Sequence, residues 1–169
     1  MALPSIEQLE ERFTNLADAD AGAEALFASD DFFADKSRML ASSEPEWREG
    51  VYDEHGKWMD GWESRRKREH GFDFCIIRLV DSGVIHALDI DTRYFTGNYP
   101  PVASLMAARL DSAPDEDTQW TEILSPQPIV GDSHNIFQVD NDEVFNFLRL
   151  NIFPDGGVAR LRVFGEKKS

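Results

Sequence analysis

A chain of 169 residues, 41% hydrophobic and 11% aromatic, is long enough to bury one independent core and too apolar to be disordered. Its formal net charge of −15 excludes a general binder of nucleic acid, whose phosphates it would repel, and argues against docking on anionic membranes. No run approaches about 18 apolar residues, so no membrane-spanning helix is expected; the start, MALPSIEQLEERF, has neither the basic nor the apolar region of a signal peptide, and the single cysteine, Cys75, fits a reducing, cytoplasmic setting.

In chain order, Ile6, Leu9, Phe13 and Leu16 recur at helical spacing over residues 5–20. Ser5 and Gln8 stand three apart, as in a capping box. Beyond this helical segment, taken as residues 1–22, short apolar runs alternate with turns to the end of a domain spanning 23–169. EALFAS (24–29), FDFCIIRL (72–79), GVIHALDID (83–91), WTEILS (120–125) and HNIFQVD (134–140) read as strands. A turn at Asp81-Ser82-Gly83 separates the second from the third, and PVASLMAARL (101–110) fits either strand or helix. FNFLRLNIF (145–153) and VARLRVFG (158–165) flank Pro154-Asp155-Gly156-Gly157, which predicts a hairpin. The polar stretch 30–60 is expected to be a partly ordered covering loop. The pattern is that of an all-β sandwich or barrel with a short N-terminal helix.

Alternation places Val84, His86, Leu88 and Ile90 on one strand face, which makes His86 a core histidine needing a partner. Asp89 and Asp91 share the other face, where paired carboxylates can raise one another's pKa, bind a cation or hold an arginine. Arg160 and Arg162 read as ion-pair partners of neighbouring strands, whereas Arg149 with Asn151 is open to a ligand role. The histidines lack metal-site spacing, and one cysteine cannot build a structural zinc site. No required cofactor is visible, although a divalent cation remains open. Cys75, inside a strand, reads as a buried inert thiol.

The segment DGWESRRKREHG (60–71) gathers Arg65, Arg66, Lys67 and Arg68 in an acidic chain, next to Trp58, Trp62 and Glu63. A basic run is most often a solvated face. Guanidinium forks also suit a carboxylate, since two parallel N–H groups meet two oxygens. The residue types therefore point to a site for a small anionic ligand.

GKWMDGWESRRKR (56–68), FCIIRL (74–79), DTRYFTGNYPP (91–101) and LRLNIFPDGGVARLRVFG (148–165), with ALFASDDFFADKSRML (25–40), together resemble the allantoicase family. The resemblance runs from about residue 15 to 166. It implies a jelly-roll β-sandwich of the galactose-binding-like, discoidin-type kind, of which this chain holds one repeat where two in tandem are usual. It also implies hydrolysis of allantoate to ureidoglycolate and urea in purine breakdown. That chemistry needs an anion anchor, a group to activate water and an acid for the departing urea. Laid over the family motifs, Glu63, Asp60 or Asp91 could supply acid and base. Arg65, Arg66 and Arg149 could hold the carboxylate, and Thr96, Asn98 and Asn151 the ureido arms, with Trp62 as a wall. A homo-oligomer is expected, two-fold dimers being commonest. Two alternatives stay open: a non-catalytic small-ligand or carbohydrate-binding module rimmed by aromatics such as Trp58, Trp62 and Tyr94, and a subunit that completes a partner's site.

Overall fold

The chain folds as α1 (Ile6–Arg12), β1 (Thr14–Asn15), β2 (Glu24–Ala28), β3 (Tyr52–Asp53), β4 (Gly56–Lys57), β5 (Trp62–Glu63), β6 (Asp73–Asp91), β7 (Val102–Ala108), β8 (Thr121–Pro128), β9 (Ile136–Gln138), β10 (Val144–Phe153), β11 (Gly157–Val158) and β12 (Arg160–Lys167). A computed structural model describes residues 3–67 and 69–168. Arg68 of the basic run lies outside the described residues.

Strand β6 organises the molecule. Its first part pairs with β2 and β10, and β10 continues the sheet through β7 to β8. Its second part pairs with β12 and β9, and β12 with β1. All these pairings are antiparallel. The long strand thus belongs to both layers of a sandwich, and the turn expected at Asp81-Ser82-Gly83 does not form. Cys75, Ile77, Leu79, Ile85, Leu88 and Ile90 line the core side of β6, against Leu105 and Leu150 from one layer and Leu161 and Val163 from the other.

The alternation of β6 slips once. Ile85 lies opposite Gly165 and Ala87 opposite Phe164, so His86 is an extra residue in the ladder, a β-bulge. This corrects two expectations. Ile85, not Val84, shares the core with Leu88 and Ile90. His86 turns out of the core, stacks on Phe13 with ring centroids 4.7 Å apart, and sits 3.2 Å from Glu166.

The segment Pro154–Gly157 is not a hairpin turn. β10 pairs with β6 and β7, whereas β12 pairs with β6 and β1, so the segment carries the chain from one layer to the other. At the N-terminus, Ser5 caps the helix and exchanges hydrogen bonds with Gln8. The helix ends at Arg12, sooner than its periodicity suggested; Leu16 reaches the core through the extended chain at β1 instead. The ambiguous segment 101–110 contains β7.

The 30–60 segment is fixed by burial and by charge. Its one-turn 3-10 helix, Lys36–Leu40, buries Met39 and Leu40. The fully buried Arg160 then ties the segment to β12. Its Nη1 and Nη2 donate to Asp60 Oδ1 and Oδ2 at 2.9 and 3.0 Å, Nη1 also to the carbonyl of Ala159 at 2.7 Å, and Nε to that of Ser43 at 2.8 Å. Asp60 accepts in addition from Arg38 Nε at 2.9 Å and from the Glu46 amide at 3.0 Å. Burial alone would raise the Asp60 carboxyl; the Arg160 hydrogen bonds, the Glu46 amide and Arg38 outweigh it and hold the carboxyl below its ordinary value. Next to it, a Cβ on Gly61 would lie 2.3 Å from the carbonyl oxygen of Val158. Only glycine lets the two backbones approach so closely.

Replacing Arg160 by Met leaves Asp60 buried without its main counter-ion. Such a loss costs about 3–5 kcal/mol, and chemical denaturation of R160M should show a destabilisation of that order.

Candidate active site

Three segments far apart in sequence meet at one open cleft of about 540 Å³, lined by residues of 63–67, 97–101 and 154–156 together with Phe33. The strand pair β5–β11 brings the first to the third, placing Glu63 opposite Gly157 and Trp62 opposite Val158. The Glu63 amide also donates to the Ala34 carbonyl at 3.1 Å, and Ser64 and Gly156 exchange backbone and hydroxyl hydrogen bonds at 3.0 and 3.2 Å. The second segment joins through the Gly157 amide, which donates to the Asn98 carbonyl at 2.7 Å. Gly156 has φ of 140°, and a Cβ there would meet the Pro100 nitrogen at 2.6 Å. The floor of the cleft is thus backbone against backbone.

Of the residues singled out from sequence, the cleft gathers Glu63, Arg66 and Asn98. Asn98 Nδ2 donates to Glu63 Oε2 at 3.0 Å. Burial raises the Glu63 pKa above the usual carboxylate value, only partly offset by the Asn98 hydrogen bond and reinforced by the negative charge of Asp155. Glu63 is a carboxylic acid held towards its protonated form beside a second carboxylate.

The other candidates are placed elsewhere. Trp62 is fully buried and donates Nε1 to the Asp30 carbonyl at 2.8 Å, so it is core and not a wall of the cleft. Arg65 is exposed, paired with Asp30 at 2.8 Å and laid over Phe32. Asp60 is taken up by Arg160 and Arg38, as described above. Asp91 is buried, bonded to Arg93 Nε at 3.0 Å and to Arg162 Nη1 at 2.9 Å. Arg149 and Asn151 bond to each other at 2.9 Å on the outward side of β10. Thr96 is exposed, next to Gly97 of the cleft, but does not line it.

Two further charged residues line the cleft: Asp155, which falls within the predicted turn, and Lys67, one of four successive cations in the basic run. Asp155 accepts from the Lys67 amide at 2.7 Å, while the Lys67 ammonium lies 2.8 Å from Asp73 Oδ1. Asp73 is buried and also accepts from Ser29 Oγ at 2.8 Å. Of the cations at this end, Arg65 is drawn to Asp30 and Lys67 to Asp73. Arg66 lines the cleft and, among the described residues, makes no ion pair within 4.0 Å.

A second charged cluster lies on the outward side of β6. His134 Nδ1 is 2.7 Å from Asp89 and 3.9 Å from Asp91, and one ligand atom of each of the three falls within 4.8 Å of the others. Arg162 Nη1, however, contacts both carboxylates at 3.0 and 2.9 Å and holds the place a cation would take. Arg93 and Glu44 complete the network. Asp91 would be raised by burial, but the hydrogen bonds from Arg93 and Arg162 lower it; His134 is raised chiefly by its hydrogen bond to Asp89. On β12, Arg162 holds carboxylates of the adjacent strand, as its alternation suggested, whereas Arg160 holds Asp60 of the 30–60 segment. Cys75 is buried, and desolvation pushes its thiol up to about 12, which suits an inert core residue.

Two layers of antiparallel strands with a polar, carboxylate-bearing cleft built by end loops define a galactose-binding-like jelly roll. The fold is shared with the third family-32 carbohydrate-binding module of a family 31 glycoside hydrolase from Clostridium perfringens (TM-score 0.62, 13% identity, covering 92% of this chain and 96% of that one). Within that class the chain belongs to the allantoicase family: the family model "Allantoicase repeat" matches residues 14–168. Proteins named "Probable allantoicase" from Photobacterium profundum and Pseudomonas fluorescens are 59% and 55% identical over 156 residues, each match covering 92% of this chain and 47% of the relative. The crystal structure of allantoicase from Saccharomyces cerevisiae superposes with a TM-score of 0.82 at 26% identity, covering 97% of this chain and 54% of that one. The chain therefore spans about half the length of the curated relatives it matches.

Because the folded-state pKa of Glu63 is raised, its contribution to stability is fully present below the ordinary glutamate value of about 4.3 and is lost as pH rises through the raised value. Glu63→Gln keeps an acceptor for Asn98 without the charge. Its melting temperature should exceed that of the wild type at pH 7, and thermal scans below about pH 4 should show the gain gone.

Proposed function

We propose that this chain is an allantoicase, acting at the cleft of Glu63, Arg66, Asn98 and Asp155 on allantoate, in the cytoplasm and without a required cofactor. The observation that carries the reading is convergence: three of the segments that resemble the family, around residues 63–67, 98–101 and 154–156, supply nearly all of one cleft. The names of the relatives support the substrate.

Allantoate carries one carboxylate and two ureido arms on a single carbon. Arg66, the cleft cation that makes no ion pair among the described residues, takes the substrate carboxylate. Asn98 orients a ureido arm while bridging to Glu63. Glu63, kept towards its acid form by burial, protonates the departing nitrogen. Asp155 accepts a proton from water as the water oxygen bonds to the central carbon and the carbon–nitrogen bond breaks. The products are urea and ureidoglycolate, and a proton returned from Asp155 to Glu63 through solvent restores the site. Two carboxyl groups in unlike surroundings divide acid and base work in this way. We further infer that the protein self-associates.

Urea release from allantoate by the purified chain is the direct test, and its absence would overturn the reading. Glu63→Gln and Asp155→Asn should each lower kcat by about 10²–10⁴-fold, the usual worth of one acid or base. Arg66→Ala should raise KM by roughly tenfold or more, as expected when a charge-assisted hydrogen bond of about 1.5–3 kcal/mol is lost. Arg65→Ala, whose partner is Asp30, should leave KM nearly unchanged. Equal effects of the two arginine variants would misplace the anchor.

A further inference from the structure

The outward side of the β2–β6–β10–β7–β8 sheet carries a row of side chains that the cleft does not use. Cross-strand partners run Phe27–Ile76–Arg149–Met106–Glu122 across five strands. Partners directly opposite in antiparallel strands share a face, so these five lie on one surface. Phe72, Phe74 and Trp120 ring the Arg149 guanidinium at 5.9, 5.3 and 5.9 Å. Phe72 packs at a tilt against Phe74 and Phe153, and Phe27 against Phe74, at centroid distances of 5.3–6.0 Å. Phe27 and Phe72 remain 51% and 39% exposed. A contiguous aromatic surface of this kind marks an interaction site.

Arg149 shows what the partner must bring. It is half-buried, donates Nε to Asn151 at 2.9 Å and has Nη2 3.2 Å from Met106 Sδ. Among the described residues, no carboxylate lies within 4.0 Å of it. Burial disfavours its charge and lowers its pKa. In a chain with 32 acidic side chains, a half-buried arginine framed by aromatics and lacking an acid stands out. The same row ends in an exposed acid, Glu122, which forms no ion pair among the described residues. One face thus holds both halves of a charge pair that is not closed within the chain, Met106 lying between them.

We propose that this face binds a second copy of the chain about a two-fold axis, with Arg149 of each copy meeting Glu122 of the other over the paired aromatic surfaces. A two-fold contact has this reciprocity built in, because whatever one copy offers the other receives. The face suits self-association electrostatically as well. Two copies of charge −15 repel, and they approach best where apolar side chains and an arginine replace the acidic surface. The position has a consequence for the cleft. Phe153 on this face runs directly into Pro154 and Asp155 of the cleft lining, so a docked copy borders the cleft mouth. The proposal rests on the self-association inferred above and not on the identity of the substrate.

The test is sedimentation of the purified chain over a wide concentration range, with urea release measured on the same samples. The wild type should approach twice its 19.2 kDa mass. Arg149→Glu and Glu122→Arg should each weaken association by roughly tenfold or more, and the double variant should restore it, as expected of a desolvated charge pair. Phe27→Asp alters an exposed side chain and should weaken association with little change in melting temperature. This variant keeps the test decisive if Arg149→Glu folds poorly. A wild type that is monomeric throughout, or a dimer unaffected by Phe27→Asp and Glu122→Arg, overturns the proposal; so does a dimer formed only with an unrelated protein. Loss of urea release from an intact dimer would count against the enzymatic reading alone.

Discussion

The buried pair of Arg160 and Asp60 is the constraint on which the cleft depends. Arg160 directs its donors to Asp60, Ala159 and the Ser43–Glu44 stretch, so one guanidinium fixes the end of a long polar segment to a strand of the sandwich. Such a pair need not add much net stability, because two desolvated charges must first be offset. Its value here is geometric. With Asp60 anchored and Gly61 allowing contact with Val158 and Ala159, Trp62 can enter the core and Glu63 must emerge at the cleft. Four successive residues carry four different tasks: an ion-pair anchor, a close approach, a core plug and an acid.

Electrostatics then sorts the basic run. In a chain of net charge −15, acids outnumber the basic side chains that could pair with them. Arg65 goes to Asp30 and Lys67 to Asp73, which leaves Arg66 in the cleft. The cluster of positive charge in the sequence is therefore not one patch. Two of its members brace loops, and the brace around Lys67 also places the Asp155 carboxylate through a backbone amide. The acidic excess also acts at the site: negative charge from Asp155, added to burial, keeps Glu63 towards its protonated form.

Much of the fold was legible because strands announce themselves by composition and turns. The N-terminal capping box and the strands near 24, 72, 121 and 145 follow from local pattern alone. What was not legible depends on long-range geometry. A single bulge at His86 reverses the facing of everything before it, and no local signal distinguishes it from regular alternation. The Pro154–Gly157 segment has hairpin chemistry but joins strands in different layers, because β6 already occupies the neighbouring position to both. Glu63, Arg66 and Asn98, which the cleft gathers, could be named from residue type and resemblance. Asp60, Trp62 and Asp91 could not be separated from them, since a carboxylate or an indole in a motif looks the same whether it faces the core or the cleft. Asp155 was hidden by its turn neighbours.

The sandwich is shared with sugar-binding modules, so fold alone does not choose between capture and chemistry. The side chains do. A sugar site of the aromatic kind needs flat faces open to solvent. Here Trp62 is in the core and Trp58 lies under Arg48, whose guanidinium is 4.2 Å from its ring. The cleft offers instead an acid whose burial costs stability, a second carboxylate, and an exposed arginine that makes no ion pair among the described residues, groups that a binding module for neutral sugars has no use for. The aromatic surface stands instead on the outer sheet around Arg149, away from the cleft floor yet continuous with its rim through Phe153. The two proposed roles thus fall on different faces of the jelly roll, with close backbone contacts and carboxyls in unlike surroundings at the loop end and tilted aromatic rings on the sheet.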